Sequence, residues 1–198
     1  DRVNNKVNWG SLLSGYSYYR RYDSTNYRIG TPLTTFNFNT VQGLNLYLDL
    51  GFSKTFTKQS RLSLNQEVSY GFSNYRWGYF LSTYYSYNSN KMAGFRVNGG
   101  LKPVQYNAME PISPLVNTAY TLLDGNNFMK LYQKSWVYIS HGSELVNGVY
   151  FSAGFEYAER SALVNTTDYT WIKSSKRRFT SNDPLDPDNE APAFARNQ

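Results

Sequence analysis

The fold of this chain is decided by Leu-Asn-Leu-Tyr-Leu-Asp-Leu-Gly-Phe-Ser, residues 44–53. Side chains of a β-strand point alternately to opposite faces. One face of this segment therefore carries only apolar side chains, namely Leu44, Leu46, Leu48, Leu50 and Phe52. The other face carries Asn45, Tyr47, Asp49, Gly51 and Ser53. The pattern predicts a strand that separates an apolar environment from a polar one.

The composition favours a β-rich chain and excludes several other classes. Among the 198 residues, 18% are aromatic and only 17% are charged. Such an excess of amphipathic rings is typical of surfaces where apolar and aqueous surroundings meet. No apolar run approaches the roughly 20 residues that a transmembrane helix needs, so a helical membrane protein is excluded. The absence of cysteine excludes disulfides and thiolate metal sites.

The same alternation predicts about eight strands along the chain. Besides the segment at 44–53, strands are expected at 7–20, 27–37, 61–72, 77–87, 92–101, 131–140 and 145–163. Gly30 and Pro32 predict a bulge or bend in the second strand. Short polar segments between the strands predict tight turns, including one at His141-Gly142-Ser143.

Two long loops are expected, at 102–130 and at 173–193, because both stretches are rich in proline and polar residues. Within the first loop, 116–123 is compatible with a short helical turn. Counting hairpins places both loops at the same end of the strands, and membrane barrels separate short turns from long loops in this way. The sequence therefore predicts an all-β fold, a partial antiparallel transmembrane β-barrel, with residues 1–198 belonging to one barrel domain.

The two faces of the strands receive different roles in the barrel interpretation. Leu44, Leu46, Leu48, Leu50 and Phe52 would contact lipid. The charged residues of the opposite face would line the lumen and pair with one another in a narrow barrel, namely Asp49, Glu67, Arg96, Glu156 and Arg160. A soluble two-sheet sandwich is the alternative, although its outer faces would normally carry more Lys and Glu and less Gly and Tyr.

Candidate catalytic and metal-binding residues form only weak patterns. His141 is the only histidine, and Ser143 follows two residues later, as in a Ser–His hydrolase pair. At a hairpin tip the two side chains would not face each other, so a polar turn is favoured. A calcium loop would draw on the oxygen-bearing residues Asn182, Asp183, Asp186, Asp188 and Glu190. Their spacing favours a solvated loop instead, and no catalytic residue, metal or cofactor is expected.

The charge distribution argues against a nucleic-acid partner. The net charge of +6 arises mainly from scattered Lys and Arg. The one basic run, Lys173–Arg178, favours a solvated loop near a membrane surface.

Several short motifs resemble, in their order, those of a known family. The motifs are Phe-Asn-Phe-Asn-Thr-Val-Gln-Gly-Leu at 36–44, Tyr-Gly-Phe-Ser-Asn at 70–74, Pro-Ile-Ser-Pro-Leu-Val-Asn at 111–117, Asn-Phe-Met-Lys-Leu-Tyr at 127–132 and Glu-Leu-Val-Asn-Gly at 144–148. The family comprises Bacteroidota outer-membrane proteins of unknown function, with an N-terminal carboxypeptidase-regulatory-like domain followed by a β-barrel. It has Glu where Gln42 stands here.

The resemblance implies a location and a set of partners rather than a reaction. It implies the Gram-negative outer membrane, an internal part of a longer barrel, and contacts with outer-membrane lipid and envelope proteins. The favoured function is a non-enzymatic barrel that is a structural or accessory component of an envelope assembly, because the polar face is rich in Tyr and Gly. A pore or transport barrel and a membrane-embedded hydrolase using His141 and Ser143 are the alternatives.

Overall fold

The computed structural model describes residues 9–172 and 179–185. Within these ranges the chain forms one antiparallel sheet with two helices. Its nine strands are β1 Tyr16–Arg20, β2 Thr25–Ile29, β3 Phe36–Asn39, β4 Gly43–Thr57, β5 Ser60–Gly71, β6 Arg76–Asn88, β7 Ala93–Gln105, β8 Leu131–Val146 and β9 Val149–Ala162. The helices are α1 Ser11–Ser14 and α2 Pro114–Leu123. In the described part of the chain, neither helix has the length and apolarity needed to cross a bilayer.

The strand order confirms the prediction of an all-β antiparallel fold. From β4 to β9 each strand pairs with the next along the chain, and β1 pairs with β2. Two short strands share one side of β4, with β3 pairing at 43–46 and β2 at 50–54. The sheet is not closed, since β1 and β9 are its two edges.

The strand directions give the sheet two unlike ends. One end, called here the turn end, carries the short connections at 21–24, 58–59, 89–92 and 147–148. The opposite end, called here the base, carries the short turns at 40–42 and 72–75. The base also carries the connection 106–130, which includes α2, and the segment that follows β9.

The strand predicted at 27–37 is two strands, β2 and β3, because a 3-10 turn at Pro32–Thr34 separates them. Proline lacks the N–H that a ladder requires, so the chain leaves the sheet there. It pairs with β4 again through β3, closer to the base. The first predicted strand begins only at Tyr16, after α1.

The loop predicted from residue 102 begins later, because β7 extends to Gln105. Pro103 is compatible with this extension because it pairs with Gln133 of β8, while the ladder to β6 ends at Leu101. The helical segment expected at 116–123 is α2, which starts with a proline in its first turn.

The turn predicted at His141-Gly142-Ser143 is wrong. Strand β8 continues to Val146, and these three residues pair with Ala153, Ser152 and Phe151 of β9. The chain reverses at Asn147-Gly148, where Gly148 has a φ of 81°. Asn-Gly is a strong hairpin signal because both residues tolerate positive φ, whereas His-Gly-Ser lacks that combination.

The register sorts the side chains of the sheet into an apolar face and a polar face, since directly opposed residues share a face. The apolar face includes Leu46, Leu48, Leu50, Phe52, Leu64, Val68, Tyr70, Trp77, Tyr79, Leu81, Tyr85, Phe95, Val97, Val137, Ile139 and Phe155. The polar face includes Tyr47, Asp49, Asn65, Glu67, Ser69, Phe80, Ser82, Tyr84, Arg96, Asn98, Lys102, Lys134, Trp136, Tyr138, Glu156 and Arg160.

The apolar face is itself divided into three bands. Near the base, Tyr70 contacts Phe72 and Trp77, with ring centroids 5.1 and 4.8 Å away. Near the turn end, His141 contacts Phe95 at 4.5 Å and Tyr87 at 6.1 Å. These clusters are called here the lower and upper aromatic bands. Between them aliphatic side chains are the most frequent, namely Leu48, Leu64, Val68, Leu81, Val97 and Ile139, and Phe52, Gln66, Tyr79 and Thr83 lie among them.

A small buried core lies at the base rather than within the sheet. Val41, Met129, Leu131 and Leu163 form this cluster, and each is at most 5% exposed. They belong to three parts of the chain, and the backbone N–H of Thr166 donates to the carbonyl of Thr40 at 2.8 Å. The segment after β9 therefore contacts the turn before β4. Since these strands lie far apart in the strand order, the sheet is curved and the base connects its distant strands.

Candidate functional site: the polar face and its base

The five residues predicted to line a lumen all lie on the polar face. Among the five, only Glu156 and Arg160 form an ion pair, with 3.9 Å between Oε1 and Nη2. Asp49 and Glu67 lie directly opposite each other on β4 and β5, and Arg96 lies on β7. Because like charges in opposed positions destabilise a sheet, Asp49 and Glu67 need other partners.

Those partners are cations that the sequence analysis missed. Arg28 of β2 pairs with Asp49, with 3.2 Å between Nη2 and Oδ2. Lys102 of β7 pairs with Glu67, and the hydroxyl of Tyr47 is hydrogen-bonded to the same carboxylate. Arg28 lies in the predicted strand 27–37, which was expected to contain a bulge or bend, and Lys102 was assigned to a loop. Neither residue therefore had a predicted face.

The centre of the polar face is a stack of cations and rings. The amine of Lys102 lies 4.8 Å from the centroid of the Phe80 ring, which stacks on Trp136 at 5.5 Å. Lys134 lies 4.8 Å from the Trp136 ring and also pairs with Glu156 at 2.9 Å. Such cation–π contacts lower the cost of keeping charges out of water. Lys134 lies two positions before Trp136 in β8, so strand alternation would have placed its side chain on this face.

Tyrosine rings of the polar face lie over glycines of the neighbouring strand. A side chain at Gly94 would lie 2.9 Å from the hydroxyl of Tyr84, and one at Gly154 would lie 2.9 Å from that of Tyr138. Glycine at these positions leaves space for the ring, and the ring in turn covers the bare backbone. The Tyr- and Gly-rich composition of this face thus reflects close packing between strands.

At the base, buried amide side chains replace the hydrogen bonds of the ladder. Oδ1 of Asn117 accepts from the backbone N–H groups of Phe128 and Met129 at 3.1 and 3.0 Å. Oδ1 of Asn39 accepts from Val41 and Gln42 at 3.0 and 2.8 Å. Buried backbone groups need such partners wherever the chain leaves regular structure.

Further amides join the base to the segment after β9. Asn182 donates through Nδ2 to the carbonyls of Leu131 and Leu163 and accepts from the N–H of Leu131 at 2.9 Å. The hydroxyl of Thr40 donates to Oδ1 of Asn165 at 2.6 Å. Together with Asn39 and Asn117, these residues are called here the amide cluster.

Asn182 corrects the expectation of a solvated loop at its position, because it is only 2% exposed and its amide joins the start of β8 to Leu163, just after β9. Its Oδ1 is held by a backbone N–H rather than left open for calcium. Asp183 is exposed and accepts from the N–H of Leu185. Asp186, Asp188 and Glu190 lie outside the described residues, as does the basic run 173–178. Within residues 9–172 and 179–185, no cluster of His, Cys, Asp or Glu has metal-binding geometry.

Lys130 is a half-buried cation of the base. Its Nζ donates to the hydroxyl of Thr180 at 2.6 Å and to the carbonyl of Ser181 at 2.7 Å. Burial lowers the pKa of its amine from 10.5 to about 8. The side chain attaches the segment 180–181 to the start of β8.

A cavity of about 530 Å³ lies between the lower part of the polar face and the connection 106–130. Its polar walls include Asn37, Asn45, Tyr47 and Ser69, and its apolar walls include Val104, Leu115 and Met129. The base thus covers the lower end of the polar face and leaves a partly open cavity there.

The geometry at His141 differs from that assumed for a turn. His141 and Ser143 both point to the apolar face, since they lie two positions apart on β8. Nε2 of His141 is 2.9 Å from the hydroxyl of Tyr87. The hydroxyl of Ser143 donates instead to the carbonyl of Glu144 at 3.3 Å.

Residues 10–198 match the C-terminal domain of DUF5686, a family of unknown function. The chain belongs to the DUF5686 family. This match confirms the predicted resemblance to a family without an assigned function. It covers both the polar face and the amide cluster of the DUF5686 domain. No curated protein and no solved structure is significantly similar to the chain.

Proposed function

We propose that this DUF5686 domain is part of an integral outer-membrane β-barrel that acts as a non-enzymatic structural or accessory component of a cell-envelope assembly. The observation that carries the proposal is the exposed apolar face with its aliphatic band between two aromatic bands. Soluble monomers rarely expose contiguous apolar patches of more than a few hundred Å². Membrane barrels instead expose such a band to lipid and flank it with aromatic residues.

The spacing of the aromatic bands supports the proposal. Trp77 and Tyr87 lie ten positions apart on β6. At about 3.4 Å per residue this corresponds to about 34 Å along the strand. A strand tilt of about 40° reduces the span to about 26 Å, close to the roughly 25 Å height of the apolar band in outer-membrane barrels.

The length of the strands supports it as well. The six strands β4–β9 contain 12 to 16 residues each, and about 10 residues suffice for a tilted strand to cross a bilayer. Because backbone groups exposed to lipid must be paired, the proposal requires further strands at the edges β1 and β9. The resemblance to Bacteroidota proteins supports a Gram-negative outer membrane as the location.

The polar face supports a closed lumen rather than a pore. Asp49, Glu67 and Glu156 each have a cationic partner, and the rings of Phe80 and Trp136 occupy the centre of this face. The base covers one end. Paired charges and packed rings stabilise a filled interior, which suits a scaffold for partner proteins better than a conducting channel.

A membrane-embedded hydrolase is the second candidate, because the correction at His141 removes the argument against it. In a barrel, His141 and Ser143 would lie on the lipid side near the upper aromatic band, at the depth of lipid esters. Catalysis would require the hydroxyl of Ser143 to turn from Glu144 to His141. Phospholipase activity that is lost in both His141→Ala and Ser143→Ala, but kept in Ser140→Ala on the opposite face, would establish this function.

The proposed function is tested by extracting the intact protein from cell envelopes in mild detergent and identifying what co-purifies by mass spectrometry. We expect the protein to resist alkaline extraction and to purify with partners in fixed stoichiometry. Removal from the membrane at alkaline pH would contradict the barrel, and a barrel that purifies alone would contradict the assembly role.

A further inference from the structure

A second cavity of about 540 Å³ lies next to the polar-face cavity, and both are lined by Phe36 and Asn37 of β3. We call it the base groove. The sheet contributes Phe36, Leu44 and Phe72 to its walls, and α2 contributes Thr118 and Leu122. The segment after β9 supplies Tyr169 and Trp171.

The lining of the base groove suits hydrocarbon. No charged side chain is among its lining residues in the described part of the chain. The hydroxyl of Thr118 is occupied, because it donates to the carbonyl of Pro114 at 2.7 Å and accepts from the N–H of Phe38 at 2.8 Å. The other polar side chains of the lining are the uncharged Asn37, Ser73 and Thr167. A charged ligand would therefore lose its hydration here without gaining a charged partner.

The groove is held open by contacts of its own walls. The backbone N–H of Trp171 donates to the carbonyl of Leu122 at 2.9 Å, and the hydroxyl of Thr170 donates to the same carbonyl. The ring of Tyr169 packs 6.0 Å from that of Phe38 on the floor. These contacts fix α2 at a distance from β4, so the groove is largely preformed.

The groove is continuous with the apolar face of the sheet. Leu44 and Phe36 lie on that face by register, and Phe72 belongs to the lower aromatic band. The outer side of α2 is also apolar, since Val116, Tyr120 and Leu123 are spaced along one stripe and are all exposed. An uncharged helix beside an aromatic band is suited to the membrane interface.

From this continuity we propose that the base groove binds an acyl chain of a membrane lipid. The inference rests on the proposed function, because the groove meets lipid only if the apolar face does. The chain would enter beside Phe72 and lie between Leu44 and Leu122, with Trp171 at the mouth. The lipid would thereby hold α2 and the segment after β9 against the sheet.

The test uses photocrosslinking in cell envelopes with the intact protein. Benzoylphenylalanine replaces Thr167 in the groove, Leu81 in the aliphatic band, or Ser82 on the polar face, and the adducts are identified by mass spectrometry. We expect lipid adducts at 167 and 81 and none at 82. The groove-filling substitution Leu122→Phe should abolish most of the adduct at 167. Leu123→Phe, on the outer side of the same helix, should leave it unchanged.

The outcomes separate the two proposals. Absence of lipid at position 81 contradicts the barrel itself. Lipid at 81, together with only protein adducts or none at 167, contradicts the groove inference alone. An adduct at 167 that Leu122→Phe does not reduce also contradicts it, because the lipid would then lie outside the groove.

Discussion

The sheet and the base of this molecule satisfy their backbone hydrogen bonds in different ways. In strands β4–β8 most N–H and C=O groups pair with a neighbouring strand, so side chains are free to be sorted by face. At the base the chain is irregular, and Asn39, Asn117 and Asn182 supply the partners instead. A polar side chain in the sheet therefore supplies few hydrogen bonds to backbone groups, whereas one amide at the base supplies several.

The largest expected effect comes from an amide of the base. Asn117→Leu keeps the branched shape of the side chain but leaves the N–H groups of Phe128 and Met129 without their acceptor. We expect the free energy of unfolding to fall by about 3–5 kcal/mol, because each orphaned group costs about 1–3 kcal/mol. Urea unfolding of the protein reconstituted in vesicles measures it.

The matched control is Asn98→Leu in the sheet. Oδ1 of Asn98 accepts a hydrogen bond from the side-chain hydroxyl of Ser82, at 2.7 Å. Losing this one bond is expected to cost about 1 kcal/mol. Equal effects at positions 117 and 98 would contradict the distinction between base and sheet.

The next effect concerns the two faces of the sheet. Leu81 is 47% exposed and lies in the aliphatic band. Leu81→Lys would place a charge in lipid, at a cost of about 2–4 kcal/mol near the bilayer midplane. Ser82→Lys, on the adjacent polar face, should change stability much less in the same vesicle assay. A larger loss for Ser82→Lys would invert the assignment of the faces.

A smaller effect is expected where tyrosine packs over glycine. Gly154→Ala pushes against the hydroxyl of Tyr138, and we expect a loss of about 1–2 kcal/mol from overpacking. Tyr138→Phe removes that hydroxyl, so the double variant should recover part of the loss. A double-mutant cycle measures the coupling, and strictly additive losses would show that the ring and the glycine do not interact.

The smallest effect is the pH dependence of Lys130. Its pKa is about 8 in the folded protein and 10.5 in the reference state. Between these values the unfolded chain binds the extra proton, so stability rises with pH across this window and the penalty persists below it. The wild type should therefore gain stability relative to Lys130→Met from pH 8 to pH 10.5. Parallel stability curves for the two proteins would contradict the lowered pKa.

The sheet was largely predictable from the sequence because its determinants are local. Alternation and short turns located β4 to β7 within a few residues, since the two faces of a strand can be read from that strand's own sequence. The ion pairs of Asp49 and Glu67 were not predicted, because their partners Arg28 and Lys102 lay in segments without a clear period. The hairpin turn between β8 and β9 was predicted at 141–143 from that polar triplet, although Asn147-Gly148 is the stronger turn signal.

The bonds of Asn165 and Asn182 at the base were not predictable because their partners are distant along the chain. Asn182 and Leu131 are separated by 51 positions, and Thr40 and Asn165 by 125. A proline-rich, polar stretch has the composition of a solvated loop, whether or not one of its polar residues is buried. Only the fold brings these amides to the backbone groups that they satisfy.

The most direct test of the account is a spin-label scan along β6, with one label at a time from Trp77 to Tyr85 in reconstituted protein. Oxygen partitions into lipid, so its collision rate should peak at Trp77, Tyr79, Leu81, Thr83 and Tyr85 and fall at the intervening positions. That two-residue period would support an apolar face in lipid and a packed polar interior. Low oxygen accessibility on the apolar face would place it in a protein core, as in a soluble sandwich, and would contradict the account.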